Sequence, residues 1–317
     1  MKEISNLDIT TAWGIWRECL LGEDPNAIFQ QITRMIWDTA IFQIINEGRR
    51  LQINKNPKCP EINSPFHNFI NRAYVQSQCA SIRRLTDLSS PLIGEKGVYS
   101  LSELIKVMSY LRESLTRTKF FELRGLQYDY SEVVIKRNEF FKKMTPGRAV
   151  DIPSEYNLEY LEETHQAFDQ LSGVTKSSRS PNDVVLEEVY TTLQSDLREA
   201  CSAIDKFVNK FIAHSATKES RRYENGVIEK IQYRQLWDAQ RIIYQIAGLI
   251  SSMFFGVSHI ALALESPNFY SYWDKPIFPQ DAIDQVEVVF EKYRKETEDW
   301  RLGAESYYQY MSQKREY

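Results

Sequence analysis

The chain has 317 residues, 43% of them hydrophobic and 26% charged, with a net charge of -4. This composition excludes disorder, supports a real core, and removes the general electrostatic pull of a basic protein toward nucleic acid, so any RNA contact must come from a local patch. Only 12 Gly and 11 Pro serve the whole length, too few for the many turns of a sandwich or barrel, so an all-α fold is expected.

The N-terminus, Met1 to Leu21, interleaves Glu3, Asp8, Arg17 and Glu18 with its apolar residues and lacks the clean apolar stretch of a signal peptide. Cys19, Cys59, Cys79 and Cys201 form no C-x-x-C pair. A reduced, cytoplasmic setting with neither zinc site nor disulfide framework follows. Asp24-Pro25 predicts a helix start, because proline loses nothing in a first turn. Ile28, Ile32, Met35, Ile36, Ala40, Ile41, Ile44 and Ile45 then form one apolar face, ending near Gly48. Ser64-Pro65 repeats the device ahead of Phe66, Phe69, Ile70, Ala73, Tyr74, Ala80 and Leu85. Ser100 and Glu103 predict a capping box before Leu104, Met108, Leu111 and Leu115.

From Lys119 to Gly173 the pattern is less regular, with Gly125, Thr145-Pro146-Gly147 and Pro153. Between Arg117 and Arg148 eight basic residues face four acidic ones, a local +4. This describes either a solvated insertion or a basic arm that touches RNA phosphates. Lys176 to Ser180 reads as a polar linker, and Ser180-Pro181-Asn182-Asp183 as the next helix start. Its stripe, Leu186, Val189, Leu193, Leu197, Ala200, Ile204, Phe207 and Phe211, runs into His214. After a polar break with Asn225-Gly226, a long helix begins near Tyr233. Its uncharged stretch, Ile246 to Leu264, has the length of a membrane span, but Gly248, Ser251, Ser252, Gly256, Ser258 and His259 dilute it. The three- and four-residue recurrence from Leu236 marks a buried bundle helix, and no membrane contact is expected. A Pro-containing loop, a helix with Ile283, Val286, Phe290, Tyr293 and Trp300, and a Tyr-rich tail complete the chain.

The domain reading is therefore four segments. Residues 1–118 are N-terminal bundle helices, 119–179 an irregular basic insertion and linker, 180–265 the motif-bearing helices, and 266–317 a C-terminal helical extension. Of the four histidines, His67 and His165 carry no assigned role and His259 reads as a core residue. None forms a metal-binding pair such as H-E-x-x-H, so neither metal nor cofactor is expected.

His214 is distinct, closing Asn209-Lys210-Phe211-Ile212-Ala213-His214 at a helix end. This run resembles the Arg-Asn-Lys-x-x-Ala-His motif of HEPN proteins, helical bundles that often dimerise and cleave RNA. More broadly the chain is similar to the U-type abortive-infection (phage-defence) branch of that superfamily. Arg83-Arg84-Leu85-Thr86-Asp87-Leu88, Ser100-Leu101-Ser102-Glu103-Leu104 and Gln235-Leu236-Trp237-Asp238-Ala239 fall in matching order around it. The resemblance implies a HEPN-like bundle acting as a metal-independent endoribonuclease. His214 would be the acid/base, with Asn209 and Lys210 in support. It also implies a homodimer pairing the helices around His214 and Tyr233 to Leu249, and a protein partner within a defence system. The motif's arginine, expected at 207, 208 or 209, is absent: Phe207, Val208 and Asn209 stand there. Lys210, Lys206, Arg221 or Arg222 would then supply the charge for the phosphate, Lys without Arg's bidentate fork. The alternative is a catalytically inactive HEPN-like dimerisation or scaffold module, with His214 a helix cap. Arg83 and Asp87, four residues apart, read as a surface pair or as a brace for the neighbouring bundle surface.

Overall fold

The computed structural model describes residues 7–55, 64–92, 94, 97–144, 153, 156–212, 231–258 and 283–314. Among them every regular element is helical: α1 (Ile9–Leu21), α2 (Ile28–Lys55), α3 (Ser64–Thr86), α4 (Leu101–Tyr110), α5 (Arg117–Leu123), α6 (Tyr130–Lys142), α7 (Leu158–Ser172), α8 (Glu187–Phe207), α9 (Tyr233–Phe255) and α10 (Ile283–Lys314). The fold is all-α, as its composition requires. Helix α8 packs on α3, α4 and α9, while α10 lies across α9 and α2, so elements from both ends of the sequence share one core.

The predicted starts hold for α3, α4 and α9, whereas α2 begins at Ile28, past the Asp24-Pro25 turn, and α8 only at Glu187. Helix α1 had no forecast, yet Asp8 caps it by accepting from the amides of Thr10 and Thr11 at 2.9 and 3.0 Å. Its buried Ala12, Trp13, Trp16, Cys19 and Leu20 recur at helical spacing. Helix α2 continues through Gly48, which is buried mid-helix, to Lys55. The capping box at Ser100 is half formed: Ser100 Oγ accepts from the Glu103 amide, but the Glu103 carboxylate pairs instead with Lys106 at 2.8 Å. Ser100 Oγ also donates to the Asp87 carbonyl at 2.6 Å, which ties the start of α4 to the end of α3. Helix α9 stops at Gly256, whose left-handed backbone (φ 66°) suits glycine. A Cβ there would collide with Arg124 and Tyr160. The uncharged run is thus broken after Phe255, and no helix among the described residues is long and apolar enough to cross a membrane.

Within 119–179, where an irregular insertion was expected, most of the described residues are helical. Helices α6 and α7 occupy it, and α5 runs into it. Its local charge does not all form a free basic arm. Arg117 is fully buried, with Asp169 at 2.8 Å and Asp183 at 2.9 Å, and its guanidinium lies 4.8 Å from the Phe168 ring. Arg179 extends the cluster to Asp169 at 2.7 Å and Glu162 at 3.1 Å. Burial would raise the Glu162 carboxyl, but hydrogen bonds from Arg179, Lys176 and Gln166 hold it down at about 2. The same cluster explains why α8 starts late. Asp183 accepts from Arg117 and from the Ser180 amide instead of capping a helix, and Pro181 accepts from the Thr118 amide at 3.1 Å. Residues 180–186 are therefore a strap across α5, and α8 begins only at Glu187.

Beside this cluster His165 is buried between Phe121 and Tyr130, with ring centroids 4.2 and 5.4 Å away. Its Nε2 lies 3.3 Å from the Tyr128 carbonyl. Burial, with Arg179 nearby, holds the imidazole down at about 4 against an ordinary 6.5. The folded state thus takes up this proton only near pH 4, and the unfolded chain near 6.5. Between those values the unfolded chain binds more protons, so stability falls as pH falls. His165→Gln should flatten this dependence, which amounts to about 2 kcal/mol between pH 7.5 and 5. Urea unfolding at pH 7.5, 6 and 5 reads the slopes directly.

A second buried polar group sits at the centre of the bundle. Gln240 of α9, 1% exposed, donates to Gln78 Oε1 of α3 at 2.6 Å and to Thr39 Oγ1 of α2 at 3.0 Å. Tyr293 of α10 reaches Gln240 Oε1 at 3.4 Å, Tyr74 lies 3.0 Å from Thr39, and Trp237 donates to Tyr74 at 3.3 Å. Gln240→Leu keeps the volume but strands Gln78 Oε1, while Thr39 keeps Met35 and Tyr74, and a buried orphan of this kind costs about 1–3 kcal/mol. Thermal melting should register a loss of that order, larger than for the surface change Arg234→Ala.

Candidate functional site

Helices α3 and α8 end side by side, and the candidate site lies where they do. The regular α8 gives way after Phe207 to a π-helical turn, Val208–Ile212. Such turns shift the following side chains around the helix and recur at functional positions. Val208 is buried and anchors the turn in the core, while Phe207 and Phe211 stack with centroids 4.9 Å apart. Asn209, exposed on the same turn, receives a hydrogen bond from Arg83 Nη1 of α3. Lys206 is exposed one turn earlier, and Lys210 is half-buried.

The electrostatics follow from this meeting. Asp205 sits half-buried beside the turn, and burial pushes its carboxyl up despite the attraction of Arg83. For Asp87 burial acts upward too, but hydrogen bonds from the Ser89 hydroxyl and amide, with help from Ser90 and Arg83, hold the carboxyl below its ordinary value. Arg83 therefore does not simply form a surface pair with Asp87. It crosses to the motif on α8, within the field of two carboxyl groups of unequal basicity.

Of the residues expected at the site, the structure places Asn209, Lys210 and Lys206 together at the end of α8. His214, Arg221 and Arg222 lie outside the described residues. The sequence gives no local signal for the contact of Arg83 with Asn209, although Arg83-Arg84 before Asp87 is one of the ordered landmarks at the end of α3. The Arg83 guanidinium now stands on Asn209, one of the positions where the motif's own arginine was sought. Among the described residues no group of His, Cys, Asp and Glu is arranged to hold a metal ion. Burial pushes the Cys19, Cys79 and Cys201 thiols well up, Cys79 to about 12, so none of them is a ready nucleophile.

Comparison with known proteins adds no name to this geometry: no family model, curated protein or solved structure matches the chain.

Proposed function

We propose that the chain is a HEPN-type protein of prokaryotic defence that cleaves RNA without a metal, using His214 as acid/base. The observation that supports this reading is the hydrogen bond from Arg83 to Asn209. The motif's missing arginine is its chief departure, and an arginine from the neighbouring helix stands at that place. A guanidinium offers paired N–H groups to phosphate oxygens, which a lysine does not. In the proposed reaction His214 takes the proton of a ribose 2′-hydroxyl, and the freed oxygen attacks the adjacent phosphorus. The 5′-oxygen leaves with a proton returned by an acid, giving a 2′,3′-cyclic phosphate and a 5′-hydroxyl. Arg83, held by Asn209, stabilises the charge gathering on the phosphate oxygens. Lys206 and Lys210 add local positive charge, and Arg221 and Arg222 are further candidates to supply charge for the phosphates.

A second reading, an inactive module that pairs with another copy or with a defence partner, is favoured by a different observation. Between α2 and α3 lies an apolar groove of about 270 Å³, lined by Ile41, Phe42, Ile45, Phe69, Ile70 and Ala73 among others. Phe69 beside it is 56% exposed. The apolar face of α9 packs within the chain against α8 and α10.

The nuclease reading is tested with purified protein and a single-stranded RNA. His214→Ala should lower cleavage by roughly 10²–10⁴-fold, the scale of one general acid/base, and change stability by no more than about 1–2 kcal/mol. Cleavage should persist in EDTA, leave a 2′,3′-cyclic phosphate and spare DNA, which lacks the attacking hydroxyl. RNA left intact by the wild-type protein, with the biological effect preserved in His214→Ala, would establish the interaction module instead.

A further inference from the structure

Beyond the motif, α3 ends in consecutive arginines that face different surroundings. Arg83 points to Asn209, and Arg84 lines a cleft of about 530 Å³ between the start of α2 and the α3–α4 connection. Asp24, Gln31, Asp87 and Tyr99 share that lining. Its volume falls within the range of small-molecule sites, roughly 300–1,000 Å³.

The chemistry of the lining is uneven in a useful way. Gln31 is 6% exposed and donates through Nε2 to the carbonyls of Asn26 and Tyr99, so the part of its amide left for a ligand is the acceptor Oε1. Asp24 and Asp87 are held in place by local turns, through the Asn26 amide at 2.7 Å and the Ser89 amide at 3.0 Å. Both carboxylates keep further lone pairs to give. Arg84, tethered to Ser81 Oγ at 3.0 Å, has further N–H groups to give. The described lining thus offers two carboxylates, an amide oxygen, one guanidinium and one aromatic ring. Two negative groups against one positive group disfavour a phosphate inside the cleft and favour a neutral, planar, donor-bearing ligand.

We infer that this cleft holds a guanine base. Among the RNA bases, guanine alone presents two adjacent donors, N1–H and the 2-amino group, that fit a carboxylate fork. It also presents two adjacent acceptors, O6 and N7, that fit a guanidinium fork. Asp24 or Asp87 takes the donor edge, Arg84 the acceptor edge, and Tyr99 supplies the stacking surface. Arg84, which lines the cleft, and Arg83, which bonds Asn209, are consecutive residues at the end of α3. The cleft stands on its own lining. Only its extension, cleavage next to guanosine, rests on the nuclease reading.

The test titrates the full chain with guanosine, adenosine, cytidine and uridine by ligand-observed NMR. A second arm uses uridine oligomers with and without one central guanosine. Guanosine should bind at least about tenfold more tightly than the other nucleosides, the step expected from one good bidentate contact. Arg84→Met, Asp87→Asn and Asp24→Asn, each checked for folding by circular dichroism, should not all leave that preference intact. Two of them should reduce it, Arg84→Met among these. A tighter complex with the guanosine-bearing oligomer identifies an RNA strand as the source of the base, and equal affinity identifies the free nucleoside. Equal binding of all four nucleosides, no binding at millimolar concentration, or a preference untouched in folded variants overturns the inference. Because His214→Ala should retain guanosine binding, the two readings fail separately. RNA cut without guanosine binding removes the cleft, and guanosine bound without cutting removes the nuclease.

Discussion

The fold turns on one buried amide. Gln240 lies in the apolar stripe of α9, and a polar group taken so deep is tolerated only when its partners are in place. Those partners come from three other helices: Thr39 of α2, Gln78 of α3 and Tyr293 of α10. Hydrophobic contacts tolerate a helix sliding along its axis far better than short hydrogen bonds do. Gln78 and Tyr74 therefore fix how far α3 extends along the bundle, and with it where Arg83 stands. Arg83 meets Asn209 across 126 positions of sequence because the interior of α3 is held in register one turn earlier.

The second buried polar group does comparable work for α8. Arg117 is fully buried, and its cost of desolvation is offset only while Asp169 and Asp183 remain beside it. Asp183 belongs to the strap that feeds α8, and Asp169 to α7. The cluster thus holds the approach to α8 against the α5–α7 unit. With the start of α8 fixed there and its body packed on α3 and α4, its end presents the π turn to Arg83. Two buried polar clusters set the two helix ends that make the candidate site.

Much of this was legible in the sequence. Three- and four-residue apolar spacing marks α2, α3, α8 and α9, and Ser64-Pro65 marks the start of α3, because local sterics and the buried stripe act within a few residues. Asp8 and the spacing of Trp13, Trp16 and Leu20 carried the same signal for α1 and went unread. Ser180-Pro181-Asn182-Asp183 has the form of a helix start, but burial of Arg117 claims Asp183, and a tertiary ion pair overrides a local preference. Gln240 could have been noticed as a polar residue on the face shared by Leu236 and Ile243. Arg83 at Asn209 could not, since nothing local couples residues so far apart. The motif at the end of α8 was readable as a pattern, whereas the source of its guanidinium is a property of the packed bundle.

In the proposed nuclease Arg83, brought across from α3, takes the part of the arginine missing from α8. This role is tested most directly by moving that arginine. RNA cleavage is to be measured for Arg83→Ala and for the double variant Arg83→Ala/Asn209→Arg, with folding of each verified. The single change should lower the rate by roughly a hundredfold, the scale of losing one charge-stabilising donor. The double variant, with its arginine back in the motif, should recover most of that loss. Wild-type cleavage by Arg83→Ala, or a folded double variant as inactive as the single one, would contradict it.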